Sequence, residues 1–360
     1  MPRQPESEGR TMHRPRTRLS RRALLLTGGS AAVAVSGGLL AGRLAGGPDE
    51  SSRVGVFDAA DTTEVLAPTR LAQTTVAQSF AFDDTRGEVY AVQLVQGGLR
   101  LPDEPERFSS EVRARSGDLC VTRVPADGGD LQHMVLRGFG HGVSMGVQPT
   151  RSGVWLWTES DADPTTGYGR AVARIPFEPG AVLDSDDPSV RHHRPVPGSF
   201  ANQPVYDAVE HRVMVAYQTA RKPDRQWYAV YPADSFAAGR YEELYAVRQA
   251  GREPDETFQG CALYGDHVYQ VTGNEFTDGK GGKGGNPRSS GGNTVLSAVD
   301  LRTGRVDGRA PVAAALSLPY REPEGLAVRV TDRPRLCVGF ATGDSGDRRL
   351  AVHAFGPAGA

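Results

Sequence analysis

Five segments of this chain repeat one pattern: an alternating strand, a tight turn, and a second strand rich in β-branched and aromatic residues. They open at Gln78, His141, Asn202, Gln259 and Glu324, so successive starts lie 63, 61, 57 and 65 residues apart. A third strand follows each hairpin, at 118–124, 170–177, 226–231, 293–300 and 349–355. A fourth, more polar strand fits after the first four repeats, near 131–136, 190–196, 241–247 and 311–318. After the fifth repeat the chain stops, and residues 54–77 are placed to supply the missing outer strand. No stretch sustains a helical period with caps at both ends, and the turns are dense in Gly, Pro, Asp and Asn. The reading is all-β: a five-bladed β-propeller over residues 54–360, its ring closed by an N-terminal strand joining the last blade.

Residues 1–53 read as an address and a spacer. Residues 1–22 carry seven arginines, ending in Arg21-Arg22, and an uncharged Gly- and Ala-rich stretch runs from Ala23 to Ala41. That is the layout of a twin-arginine signal peptide, and it predicts a secreted or cell-wall-associated protein. The alternative is an uncleaved N-terminal anchor, the 19-residue stretch approaching bilayer length, with the rest of the chain facing outward.

A formal net charge of -2 gives no field that would gather nucleic acid. Cys120, Cys261 and Cys337 sit in apolar runs and fit no zinc or redox spacing, so they read as buried and inert, although one pair is able to bridge after export. The tracts 161–169 and 279–292 read as disordered loops, and the Gly-Lys pairs of the second lack the spacing and following helix of a phosphate-binding loop. No cofactor and no metal are expected: the loop aspartates match no calcium loop, and His192-His193 lack a partner at ligand spacing and read as exposed.

In a propeller the first strand of each blade lines the central channel, so the five openers lie at its mouth. Gln78, His141, Asn202, Gln259 and Glu324 are all able to hydrogen-bond, and glycine follows directly in the second, fourth and fifth repeats. Second strands end near the same mouth, adding Gln93, Trp157, Glu159, Gln218, Asn274 and Glu275 as a second tier. Either these groups satisfy one another and ordered water, or they form a donor and acceptor ring for a polyhydroxylated or phosphorylated ligand. Trp155 and Trp157 alternate within one strand and read mainly as packing between blades, with sugar stacking as the other option.

The runs QSFAFDDTRGEVYAVQL, GDLCVTRV, LRGFGHGVSMGVQPTRSGVWLWTE, FQGCALYGDHVYQVTGN and PEGLAV resemble the five-bladed propeller family that includes teichoic acid biosynthesis protein C and phage receptor-binding tail proteins. The resemblance spans roughly residues 70–355, and Gly138-Phe139-Gly140-His141-Gly142 is its most distinctive piece. It implies the propeller fold and a link to cell-wall polymers, the phage members adsorbing to wall teichoic acid, but no reaction and no catalytic residue. The twin-arginine signature is a departure, indicating a self-exported protein and not part of a tail.

The leading expectation is a monomeric binding module that presents its channel mouth to a cell-wall glycopolymer or small saccharide, with no nucleic-acid partner and no membrane contact beyond the N-terminal segment. The alternative is a carbohydrate-active enzyme, a glycosidase or lyase, using Glu324 with Glu159 or Glu275. A protein-interaction scaffold is a third reading that rests on the fold's general habit alone.

Overall fold

The computed structural model describes residues 52–220, 225–277 and 285–358. The twin-arginine segment lies outside these apart from its last two residues, as does the glycine-rich centre of the 279–292 tract.

Five antiparallel sheets succeed one another along the chain. The first holds β3 (Ala77–Asp83), β4 (Glu88–Leu94), β5 (Leu119–Val124) and β6 (Gln132–Arg137), and the second β7 (Gly146–Pro149), β8 (Val154–Ala162) and β9 (Gly169–Pro176). The third holds β11 (Phe200–Asp207), β12 (Arg212–Gln218), β13 (Gln226–Pro232) and β14 (Tyr245–Arg248). The fourth holds β15 (Phe258–Tyr264), β16 (His267–Thr272), β17 (Val295–Asp300) and β18 (Val306–Pro311). The fifth is β19 (Glu322–Val330), β20 (Pro334–Thr342) and β21 (Arg349–Pro357), extended outward by β2 (Phe57–Arg70) and β1 (Arg53–Val54). The N-terminal strand thus completes the last blade, as the repeat pattern requires.

Burial explains why the middle strands read as nearly unbroken apolar runs. Each sheet packs on a neighbour at both faces, so alternation has no solvent side to report. Five apolar clusters mark the five seams. Tyr90, Val92 and Leu119 meet Val147 and Leu156; Trp157 and Val172 meet Val215 and Tyr231. Val205 and Tyr228 meet Cys261 and Leu263, Val271 and Leu296 meet Leu326 and Phe340, and Ala327 and Cys337 meet Phe80 and Ala91. The innermost strands close the circle, β3 lying against β7, β7 against β11, β11 against β15, β15 against β19, and β19 against β3. The three cysteines are buried and unpaired, each in a different cluster.

Glycine after the opener has a steric cause. At Gly325 (φ +82°) a Cβ would stand 2.8 Å from the Ser79 Cα, and at Gly260 (φ +143°) one would stand 2.7 Å from the Gly325 Cα. Inner strands approach backbone to backbone there, and any side chain would push the blades apart.

Four local expectations are corrected. The fourth strand of the second blade does not form at 190–196; only His193 bridges to Val172, because Pro195 and Pro197 have no N–H to continue a ladder. Its place in the chain is taken by β10 (Val182–Asp184), which pairs in parallel with β6 and widens the first blade to five strands. The outer strand of the fourth blade is β18, upstream of the expected 311–318, with Pro311 as its end. Finally, α1 (Ser110–Ser116) interrupts the β4–β5 connection, capped at both ends: the Ser109 hydroxyl accepts from the Val112 N–H, and Gly117 adopts the left-handed conformation.

Candidate functional site

Four openers lie within the first three residues of an inner strand, whereas His141 stands five residues ahead of β7 and not on it as expected; all are on the face of the ring that also carries α1 and the 161–169 turn. Neighbouring contacts fasten this end together. The Ser79 hydroxyl donates to the Gly142 carbonyl at 2.6 Å, and Asn202 Nδ2 donates to the Gly169 carbonyl at 3.4 Å. One step deeper, Ser144 Oγ of the second blade lies 3.6 Å from Cys261 Sγ of the fourth, directly across the axis. The second and fourth blades therefore touch each other beneath the openers.

The segment 161–169, expected to be disordered, builds part of that mouth. The Asp163 carboxylate accepts N–H groups from Thr165 and Thr166, and the Asp163 carbonyl accepts from Gly167, a turn held by its own aspartate. The turn sets the Tyr168 ring against the His141 imidazole, stacked at 4.7 Å with planes 23° apart. Burial first, and then the charges of Glu159 and Glu324, raise the Tyr168 phenol far above its ordinary value. The Glu324 charge of the fifth blade thus reaches the Tyr168 phenol of the second, although those blades are not neighbours in the ring.

Glu159 is fully buried below this pair. Its Oε2 accepts from the His141 N–H at 2.9 Å and the Gly169 N–H at 2.8 Å, while Oε1 has no partner. Desolvation outweighs the backbone donors and lifts its carboxyl to about 7. It fits so tightly that a Cβ on Gly140 would overlap its carboxylate.

Glu324 is 5 % exposed, and no hydrogen bond among the described residues reaches its carboxyl. Burial raises it well above the usual carboxylate range, and the neighbouring charges of Glu322 and Glu275 push it further in the same direction. Tyr320 stands at the same rim: its hydroxyl donates to Glu322 at 2.6 Å, and burial together with Glu322, Glu275 and Glu324 raises its phenol. Tyr320 (φ +68°) and Arg321 (φ +40°) hold consecutive left-handed conformations that side chains avoid, so packing holds this rim in a strained form.

The other candidates divide by what they touch. Gln259 is 8 % exposed and donates to the Gly273 carbonyl, Gln78 is half-buried at the rim, and Asn202 is buried and accepts from the Ser199 hydroxyl. Gln93 is sealed in, bonding the backbone of Gln73 and Thr75 and so tying down the chain leading into β3. Trp157 has no exposure at all: its ring meets Phe236 edge-on, its Nε1 donates to Gln148, and it belongs to the seam between blades. Asn274 accepts from Thr257 and bonds Asn293, which shapes the loop carrying Glu275. Gln218 lies at the end of β12, half-buried.

Two residues escaped the sequence reading: Tyr168, dismissed with its loop, and Tyr320, which precedes the fifth opener by only four positions. His193 also departs from expectation, being buried against Phe236 and bonded to the Tyr241 hydroxyl at 3.0 Å, so that burial depresses it to about 4. Among the described residues no cluster of His, Cys, Asp and Glu is arranged to hold a metal ion.

The comparisons agree with this architecture. Residues 76–354 match the model of the phage 5-bladed beta propeller receptor binding platform domain. A Bacillus subtilis (strain 168) protein named "Putative major teichoic acid biosynthesis protein C" is 24% identical over 300 residues, a stretch that covers 82% of this chain and 62% of that protein. The tail fiber of Staphylococcus aureus phage P68 superimposes with a TM-score of 0.62 at 15% identity, covering 83% of this chain and 53% of that one. This chain thus spans less than two thirds of either relative. With a matching domain model across most of its length and five blades closed in a ring, the chain belongs to the phage five-bladed β-propeller receptor-binding platform family.

Proposed function

We propose that this protein is an exported binding module whose channel mouth grips a cell-wall glycopolymer of the teichoic acid kind, or a saccharide unit of one. The observation that carries the reading lies at the opener end of the ring: the His141 ring stacked on Tyr168 in the second blade and, in the fifth, a buried Glu324 carboxyl that no hydrogen bond among the described residues reaches and whose charge acts on Tyr168. Burying a polar group with no partner costs about 1–3 kcal/mol, and a ligand hydroxyl or amine that supplies the partner recovers it. Relatives named for receptor binding and for teichoic acid biosynthesis support the same class of partner. Retention of the purified protein on isolated walls is expected to fall at least tenfold once their anionic polymers are stripped. Equal retention would remove the proposal.

A second reading has one observation behind it. Two buried carboxyls act on the Tyr168 phenol, Glu159 lifted by burial to about 7 and Glu324 raised in the same direction, which is the direction a general acid needs. Steady sugar release in the same assay, abolished by Glu324→Gln, would favour a glycosidase or lyase.

Residues 1–53 serve, in this proposal, as a twin-arginine signal that delivers the propeller outside the cytoplasm. Among the described residues no helix is long and apolar enough to cross a membrane. Replacing Arg21 and Arg22 with lysine is expected to leave the protein in the cytoplasmic fraction, and undiminished export would exclude that route.

A further inference from the structure

A groove of about 540 Å³ lies where the 161–169 turn of the second blade meets residues 198–200, the entry to β11. Two guanidiniums line it, Arg170 from β9 and Arg194 from the segment between β10 and β11. One carboxylate holds both: Arg170 Nη2 donates to Asp161 Oδ1 and Arg194 Nη2 to Asp161 Oδ2, each at 2.6 Å. Asp161 stands inside β8, between the Ser160–Ala171 and Ala162–Gly169 pairs, yet has a φ of +58° that side chains avoid. Its N–H donates to the Ser185 hydroxyl at 3.0 Å. Strain of this kind persists only where the surroundings impose it, and here it sets a carboxylate between two cations. The guanidiniums are 46 % and 50 % exposed, and ion pairs so open to water contribute little to stability. What the arrangement does provide is aimed donors. Each guanidinium has five N–H groups, of which Arg194 uses one and Arg170 two, and the rest meet no acceptor among the described residues. The other carboxylate of the groove, Asp163, is turned inward, its Oδ1 accepting from Thr165 and Thr166. Behind the pair stands His192, lowered first by burial and then by Arg194, whose charge outweighs that of Asp161 at this point. The groove also adjoins the openers: Ser199 donates to Asn202, and Tyr168, at the end of the same turn, stacks on His141.

We propose that this groove receives a phosphodiester of the bound polymer, its two charged oxygens taken by Arg170 and Arg194 while the adjoining polyol or sugar lies at the openers. This rests on the polymer-binding reading and specifies which group of the polymer is held, and where. A guanidinium is planar and matches a phosphate edge with two parallel N–H bonds, a geometry that an ammonium cannot offer. With two guanidiniums and two carboxylates the groove carries no formal surplus of charge. Selection therefore comes from the placement of donors fixed by Asp161, and not from a basic field that would gather any polyanion.

The probes are poly(glycerol phosphate), linear polyglycerol as the same polyol without phosphate, and polygalacturonate as a polyanion of carboxylates. Binding of each to the full-length protein is read by biolayer interferometry. The phosphate polymer is expected to bind at least about tenfold more tightly than either of the others. Arg170→Gln and, separately, Arg194→Gln are expected to lower its affinity at least about tenfold while the circular dichroism melt stays cooperative. Arg302→Gln, which breaks an exposed ion pair with Asp266 elsewhere, is expected to leave it unchanged. The lysine variants of both positions keep a charge beside Asp161 but not the fork; they serve where glutamine lowers the melt, and are expected to weaken binding at least about threefold. Polyglycerol or polygalacturonate bound as tightly as the phosphate polymer, or affinity unchanged in the arginine variants, overturns the proposal. Isolated walls separate the two levels of claim. Variants retained as well as the parent, with retention of all lost on polymer-free walls, overturn the phosphate site while leaving polymer binding standing. A parent retained equally on polymer-free walls removes both.

Discussion

Deletion of residues 52–70 is expected to abolish cooperative folding of the propeller, or to lower its melting temperature by more than about 10 °C with the remainder forming oligomers. The segment contributes at two places. As β2 it covers the edge of β21, pairing Thr62 with Phe355, Glu64 with His353, Leu66 with Val352 and Arg70 with Arg349. As the hairpin β1–β2 it reaches the adjacent blade, where the Gly55 N–H donates to the Asp307 carbonyl at 2.7 Å and Phe57 packs edge-on against Tyr269 at 5.1 Å. Val54 and Phe57 are essentially unexposed, and burying side chains of that size stabilises by about 1.5–3 kcal/mol each. With the ladder bonds at about 1 kcal/mol apiece, the loss is comparable to the whole stability of an ordinary domain. The deletion also bares β21, whose Val352, Ala354 and Phe355 are fully buried, as an apolar edge strand open to other chains. Thermal melting by circular dichroism and size-exclusion chromatography read both effects, and a synthetic 52–70 peptide is expected to restore the monomer by adding a strand. A monomeric deletion variant that melts within a few degrees of the parent would show that four and a half blades close without the clasp.

The ring was legible because its signal is long-range and redundant. Five openers at nearly constant spacing, with glycine after three of them, encode inner strands that touch backbone to backbone, and Gly260 and Gly325 do so. The orphan strand before the first repeat followed from counting. What the repeat leaves unread is everything hung between its strands. Tyr168 was hidden because Asp, Thr and Gly read as solvated loop, although the same Asp163 is what closes the turn and presents the ring to His141. Gln93 and Trp157 were placed near the mouth by strand position alone, which says how far along a strand a residue lies but not which neighbour covers it. The Gln93 amide is consumed by the 73–75 backbone, and the Trp157 ring by Phe236 of a helix, α2 (Ala233–Ala237), that the pattern of strands does not foretell. The same helix region buries His193, where two prolines had already stopped the outer strand.

Glu159→Gln is expected to stabilise the protein increasingly as pH rises, the gap to the parent widening by about 3 kcal/mol between pH 4.5 and 7.5. The carboxyl titrates near 4.5 in an unstructured chain and at about 7 in the folded one. Below 4.5 both states hold the proton and the group is neutral to stability. Between the two values the unfolded chain ionises while the folded one stays protonated, so folding is opposed more with each step upward, and the penalty is complete above about 7. Glutamine carries no charge at any of these values and keeps an oxygen for the His141 and Gly169 N–H groups. His193 acts with the opposite sign: its folded value near 4 lies below the 6.5 of a free imidazole, so stability present above 6.5 is lost as pH falls toward 4. From 4.5 to 6.5 the two slopes oppose each other in the parent, and removing Glu159 exposes the histidine slope, giving the variant a stability that climbs visibly with pH. Urea melts of both proteins at half-unit intervals measure the difference directly. A gap that stays constant across the range would mean that Glu159 is ionised in the folded state, with the backbone donors on Oε2 outweighing its burial.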